Sequence, residues 1–170
     1  MKPPMTDKVA KTTPEPPVAQ PSVVQPKSVE IVEKTNIPEG IDPNLLVSLN
    51  RTPCFGSCPA YTVEIFQDGT VKYKGSGYVK RIGFFTATAD ADFIAQIMKQ
   101  AETVNYKGFQ NRYPAENVEI ADLPQTISYV RMGKEGKLVQ NKLDAPKELV
   151  AFERWLEKHI EGLKWTQTKD

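Results

Sequence analysis

Residues 61 to 74 carry the clearest pattern in the chain. Tyr61-Thr-Val-Glu-Ile-Phe66 alternates between apolar and polar positions and is rich in β-formers, as a half-buried strand requires. Gln67-Asp68-Gly69 then turns the chain, and Thr70-Val-Lys-Tyr-Lys74 alternates again. The register follows from the pattern. A two-residue Asp-Gly loop sets Ile65 opposite Lys72 and Glu64 opposite Tyr73, which mixes the faces. A three-residue loop with Gly69 left-handed pairs Ile65 with Val71, Glu64 with Lys72 and Val63 with Tyr73. The second arrangement, a type I turn with a G1 bulge, is therefore predicted.

The remaining elements are read around this hairpin. Leu45, Leu46, Val47 and Leu49 form a short apolar run, consistent with a first strand. Gly75, Gly77 and Gly83 loosen Tyr78–Phe85, which continues the strand or forms another. Phe93, Ile94, Ile97, Met98, Ala101 and Val104 then recur at helical spacing, with Thr88 or Asp90 as the cap. Asp90 and Asp92 suit the positive end of that helix. From Asn105 to Asp122 the period fails. Tyr106, Phe109 and Tyr113 in this loop either plug the edge of the core or form a ligand platform. A second hairpin reads as Thr126–Met132, a Gly133–Gly136 turn and Lys137–Leu143. A last helix is expected to start at Asp144, with Pro146 in its first turn, Gly162 near its end and Leu149, Phe152, Leu156, Ile160 and Leu163 as its apolar stripe. Trp155 flanks that stripe. The order β-ββ-α-ββ-α predicts an α+β fold: a two-layer sandwich in which an antiparallel sheet, two hairpins plus an N-terminal strand, is packed by two helices.

Composition changes the picture at the N-terminus. Eight of the fourteen prolines lie within residues 1–40, mixed with Lys, Thr, Val, Gln and Glu. Such a segment buries too little apolar surface to offset its ordering entropy, so 1–40 is expected to be a disordered tether. The expected organisation is then one α+β domain over 41–165 and a disordered tail at 166–170. Lys and Arg total 22 against 21 Asp and Glu, without the basic excess of a nucleic-acid footprint. No apolar run is long enough to span a bilayer. Met1-Lys-Pro-Pro-Met5 is not followed by the apolar stretch of a signal peptide. Either the protein is cytosolic or an export signal or lipid anchor stood before this start. Pro-rich tethers often separate such an anchor from an envelope domain, which favours the second.

Candidate chemistry concentrates in Arg51-Thr-Pro-Cys-Phe-Gly-Ser-Cys-Pro-Ala-Tyr61, which holds both cysteines. Three readings stand. Cys54 and Cys58 form a structural disulfide, as the even count and an exported protein suggest. In that case Gly56 allows the tight loop, and closing so short a ring restricts the unfolded chain by roughly 2 kcal/mol. Alternatively they do thiol chemistry, although the helix N-terminus that usually lowers a thiol pKa is replaced here by a strand. Or they bind copper(I), with His159 as the one available imidazole; the Cys-x-x-x-Cys-Pro spacing resembles the copper segment of Sco-type chaperones, whose thioredoxin-like fold is not read here. A zinc site lacks a fourth ligand. Gly75-Ser-Gly77 lacks the helix of a phosphate loop, and no Ser-His-acid arrangement is present. Glu116, Glu119 and Asp122 form an acidic loop, either solvated or cation-holding. Arg51 pairs with an external anion or with a carboxylate of the protein itself.

The same segment, followed by Asp68-Gly-Thr-Val71, resembles a bacterial family known as domain of unknown function 6438. The likeness runs from about Leu45 to Leu163. It implies an envelope or lipoprotein location and brings no activity, substrate or cofactor. The expectation is thus a non-catalytic domain of the cell envelope, periplasmic or on the surface, that binds an unknown protein or small molecule. Its candidate surface is Arg51, Phe55 and Tyr61 beside the Cys54–Cys58 loop, with no cofactor unless the copper alternative holds.

Overall fold

The alternation around Asp68-Gly69 produces the hairpin it predicts. In the computed structural model, which describes residues 35–116 and 122–169, β1 (Leu45–Arg51) is followed by the hairpin strands β2 (Ala60–Phe66) and β3 (Thr70–Gly77). Val63 faces Tyr73, Glu64 faces Lys72 and Ile65 faces Val71. Gly69 has φ +82°, and its N–H donates to the Phe66 carbonyl at 3.0 Å. The Asp68 carboxylate accepts from the Thr70 N–H at 2.8 Å. That bond holds its carboxyl below the usual range.

The chain continues through β4 (Gly83–Thr88), α1 (Ala91–Thr103), a 3₁₀ turn at Tyr106–Gly108, β5 (Arg112–Tyr113), β6 (Thr126–Met132), β7 (Glu135–Asn141), α2 (Lys147–Glu161) and β8 (Thr166–Thr168). The strands form one sheet in the order β5-β7-β6-β1-β2-β3-β4-β8. All its pairs are antiparallel except β5 with β7, which makes the sheet mixed. β1 lies between the two hairpins, and Val47 and Leu49 on it are fully buried.

Both helices pack on one face of the sheet. Val47, Val63, Ile65, Val71, Val130 and Val139 meet Ile97, Leu149, Phe152 and Leu156 in one core. Asp90 is the cap of α1, its carboxylate accepting from the Phe93 N–H at 2.7 Å. α1 begins beside the first hairpin turn, where Ala89 N–H donates to the Gly69 carbonyl, and its end lies near Met132 and Gly133. α2 returns from β7 to end over Tyr61, Lys80 and Arg81.

Several boundaries differ from the sequence expectation. α2 starts at Lys147 rather than Asp144, because Asp144 is left-handed (φ +58°) and Pro146 occupies the N-cap. The second hairpin turns on Gly133 and Lys134 alone. Glu135 and Gly136 already pair with Met132 and Arg131, as a two-residue loop led by glycine permits. Tyr78–Ile82 is a loop, and the new strand begins at Gly83. The expected tail is not free: Thr166–Thr168 pairs with β4, giving partners to backbone groups that would otherwise form an open sheet edge. Tether residues 1–34 lie outside the described residues. Asn36 already belongs to the domain: its N–H donates to the Lys134 carbonyl in the β6–β7 turn, and its carbonyl accepts from the Gly136 N–H on β7.

Tyr106, Phe109 and Tyr113 act as the plug. Tyr106 is fully buried and donates to Ser128 Oγ at 2.8 Å, while Phe109 packs edge-on against it.

Candidate binding site

β1 ends at Arg51, and the loop to β2 is tied down before the cysteines. Thr52 N–H donates to the Gln125 carbonyl at 2.9 Å, and Gln125 N–H donates to Thr52 Oγ1 at 2.8 Å. Cys54 and Cys58 are joined in a disulfide, with their Cα atoms 5.7 Å apart. Gly56 N–H donates to Cys54 Sγ at 3.2 Å. Gly56 is not what makes the ring possible, contrary to the sequence expectation. It is not in the left-handed region, and an added Cβ would meet nothing closer than Cys54 Sγ at 3.8 Å.

Arg51 and Tyr61 turn inward rather than presenting a surface. The Arg51 guanidinium donates to Glu157 Oε2 at 3.0 Å, and the Tyr61 hydroxyl donates to Oε1 at 2.7 Å. Arg51 thus pairs with a carboxylate of the protein itself. Burial, then the bond to Glu157, pushes the Tyr61 hydroxyl well above its ordinary pKa. The Arg51 Nε is buried without a partner among the described residues.

Beside this network lies a cleft of about 210 Å³, walled by Tyr61, Tyr73, Tyr78, Arg81, Glu157 and Trp165 among others. Tyr73 is its centre, stacked on Tyr61 at 5.5 Å between centroids and tilted against Trp165 at 5.3 Å. The Arg81 guanidinium sits over the Trp165 ring at 5.5 Å. The rim of the cleft is the β3–β4 loop, which folds back over Gly75. A Cβ there would overlap the Arg81 carbonyl oxygen and lie 2.9 Å from Val79 Cγ2, so only glycine admits the crossing. Tyr78 takes φ +51° to begin it.

The register places six strand ends side by side. Arg51 faces Tyr61 and Thr126, Thr126 faces Asn141, Ala60 faces Gly77 and Gly75 faces Gly83. At this one end stand the large exposed apolar residues of the described chain: Phe55 (91 % exposed), Tyr78 (68 %), Ile82 (56 %), Leu143 (42 %) and Leu123 (39 %). They come from the cysteine loop, the β3–β4 loop and the residues flanking β6 and β7. Thr35 and Asn36 lie at the opposite end, beside the β6–β7 turn.

The other sequence candidates are placed elsewhere. His159 lies against the Trp155 ring at 4.2 Å between centroids, its Nδ1 2.7 Å from the Trp155 carbonyl. The two sulfurs are bonded to each other, and no cluster of three metal-ligating side chains occurs among the described residues. Glu116 and Asp122 are exposed, and Glu119 lies outside the described residues.

Sequence reasoning missed Glu153. It sits on the buried face of α2, 2 % exposed, accepting from Ser128 Oγ at 3.1 Å and Asn141 Nδ2 at 2.7 Å. Burial pushes its carboxyl up to about 7, against the pull of those two bonds and of Arg51. Its residue type gives no sign of this. Its spacing of one from Phe152 and four from Leu149 was the available signal.

The fold and site define a single-sheet α+β domain with a disulfide-closed loop at one sheet end. Residues 45–160 match the family model described as domain of unknown function (DUF6438), and the chain belongs to that family. No curated protein matches it. No helix among the described residues is long and apolar enough to cross a membrane.

Proposed function

We propose that this is a non-catalytic binding domain of the cell envelope, docking a partner protein through the loop end of its sheet. The observation that carries the reading is the gathering of Phe55, Tyr78, Ile82, Leu123 and Leu143 at that end. Contiguous exposed apolar groups on a folded domain mark interaction surfaces. From the end of β7 to the start of β4 the row crosses six strands, five spacings or roughly 24 Å at ~4.8 Å each. Charges of both signs surround it, including Lys80, Arg81, Lys142, Asp144 and Glu161. An anionic bilayer surface would call for a basic rim instead. The disulfide suits an oxidising compartment. The copper(I) alternative requires both sulfurs free, and no observation favours it.

A photo-crosslinking phenylalanine analogue placed in the full chain at Phe55, Tyr78 or Leu143, with Lys99 and Glu39 as controls, tests the reading in cells. A discrete adduct with a second protein from the first three positions alone is expected. Adducts between two copies of this chain, adducts to lipid, or equal labelling at the controls would each sink it.

A further inference from the structure

The cleft beside the disulfide loop has features that the row of exposed residues does not explain. At about 210 Å³ it falls below the ~300 Å³ of pockets that hold whole small-molecule ligands. Its room suits one side chain. Its walls are aromatic and aliphatic, from Tyr61, Tyr73, Trp165 and Ile160. Its carboxylates are already engaged. Glu157 receives Arg51 and Tyr61, Lys80 pairs with Glu161 at 3.2 Å, and Arg81 meets both the Trp165 ring and the Glu161 carbonyl. A cationic guest would find both carboxylates already engaged, and burying it unpaired would be costly.

One polar group is left over. Tyr73 is 8 % exposed and forms ring contacts on three sides, yet its hydroxyl makes no hydrogen bond with a described residue. Burial holds that hydroxyl above its ordinary pKa, with Arg81, Glu161 and Glu157 close enough to bear on it, so it stays a neutral donor and acceptor. The hydroxyl is not among the buried side-chain atoms left without a partner, so it is open to the cleft, where a guest's polar tip can reach it.

We propose that this cleft is the anchor pocket of the docking end, taking one tryptophan or tyrosine side chain of the partner with its polar tip bonded to the Tyr73 hydroxyl. Tryptophan and tyrosine combine a large apolar body with such a tip, and they dominate the energetics of protein interfaces from fully enclosed pockets. The inference rests on the docking reading above and adds the identity of the anchor.

The test titrates the full chain with N-acetyl-tryptophanamide, N-acetyl-tyrosinamide and N-acetyl-phenylalaninamide, read by NMR at the Trp165 indole N–H. That group donates to the Ile160 carbonyl, and the Trp155 indole on His159 is the internal control. Saturable shifts at Trp165 alone are expected, with tryptophan and tyrosine probes bound about 3- to 10-fold more tightly than phenylalanine, the worth of one hydrogen bond. Tyr73→Phe should abolish that preference while phenylalanine binding persists. This variant removes only an unpaired hydroxyl, so its fold is expected to hold. No saturable shift at Trp165, or a preference that survives Tyr73→Phe, would overturn the anchor. If crosslinks still form at Phe55 and Tyr78 in that case, docking stands and only the anchor falls.

Discussion

Two glycines separate local from tertiary demands. Gly56 stands between the cysteines, where an added Cβ would make only an ordinary contact with Cys54 Sγ, whereas Gly75 lies in a strand under a crossing backbone. Gly75→Ala is expected to cost on the order of 2–4 kcal/mol, since the Arg81 carbonyl must move with the whole loop. Gly56→Ala should stay within about 0.5 kcal/mol. Urea denaturation of both variants checks the contrast, and equal effects would contradict it. Glu157 offers a second contrast with a neighbour. It serves Arg51 and Tyr61 at once and is about one-third exposed, whereas the Lys80–Glu161 pair is open to water. Glu157→Ala is expected to destabilise by about 2 kcal/mol by stripping two shielded donors of their acceptor. Lys80→Ala should be nearly silent.

At the scale of elements, the attachment of α2 to the sheet runs through Glu153. Ser128 on β6, Asn141 on β7, Arg51 on β1 and Glu157 one turn along the helix all bear on its carboxyl, and Tyr106 reaches it through Ser128. In the fold its pKa is raised from 4.5 to about 7. Its neutral form is therefore the one the fold prefers. The contribution is fully present below the unfolded pKa near 4.5, declines as pH rises and is lost above about 7, a change of about 3 kcal/mol. Glu153→Gln should flatten this decline and raise stability at pH 8 by about 1–3 kcal/mol, measured by denaturation across pH. A variant that retains the wild-type slope would show that Glu153 is not its source. α1 depends on a local device instead. Asp90→Ala removes the cap on Phe93 and should cost about 1 kcal/mol, with Thr88→Ala doing less.

At the scale of the whole molecule, the disulfide closes the loop that carries Phe55 and joins the central strand to the first hairpin. Intact mass of the unreduced chain should fall short of the reduced chain by two hydrogens, with no alkylation until reductant is added. Free thiols that copper protects from alkylation would reverse the assignment and restore Cys54, Cys58 and His159 as residues to mutate. Reduction should lower stability by about 2 kcal/mol without unfolding the domain, because the core lies in the sheet and helices rather than the ring.

What the sequence determined by itself is what neighbouring residues decide. Alternation around Asp68-Gly69 set the register of the first hairpin, since a slip of one residue would turn Val63 and Ile65 to water. Helical spacing located α1 and α2, and two lone cysteines left a single possible internal pairing. Ends were less legible: Asp144 and the tail at 166–168 depend on how α2 and β4 meet their surroundings. Tertiary structure alone decided the strand order, with β1 between the hairpins, and the cleft, whose walls come from β2, the β3–β4 loop, α2 and the segment after it. It also decided that Arg51 and Tyr61 face Glu157 rather than solvent. These outcomes rest on contacts across about a hundred residues of chain, such as Arg51 with Glu157 and Tyr73 with Trp165. No periodicity or local spacing encodes which distant side chain fills the space beside another, because packing is set only when the elements meet.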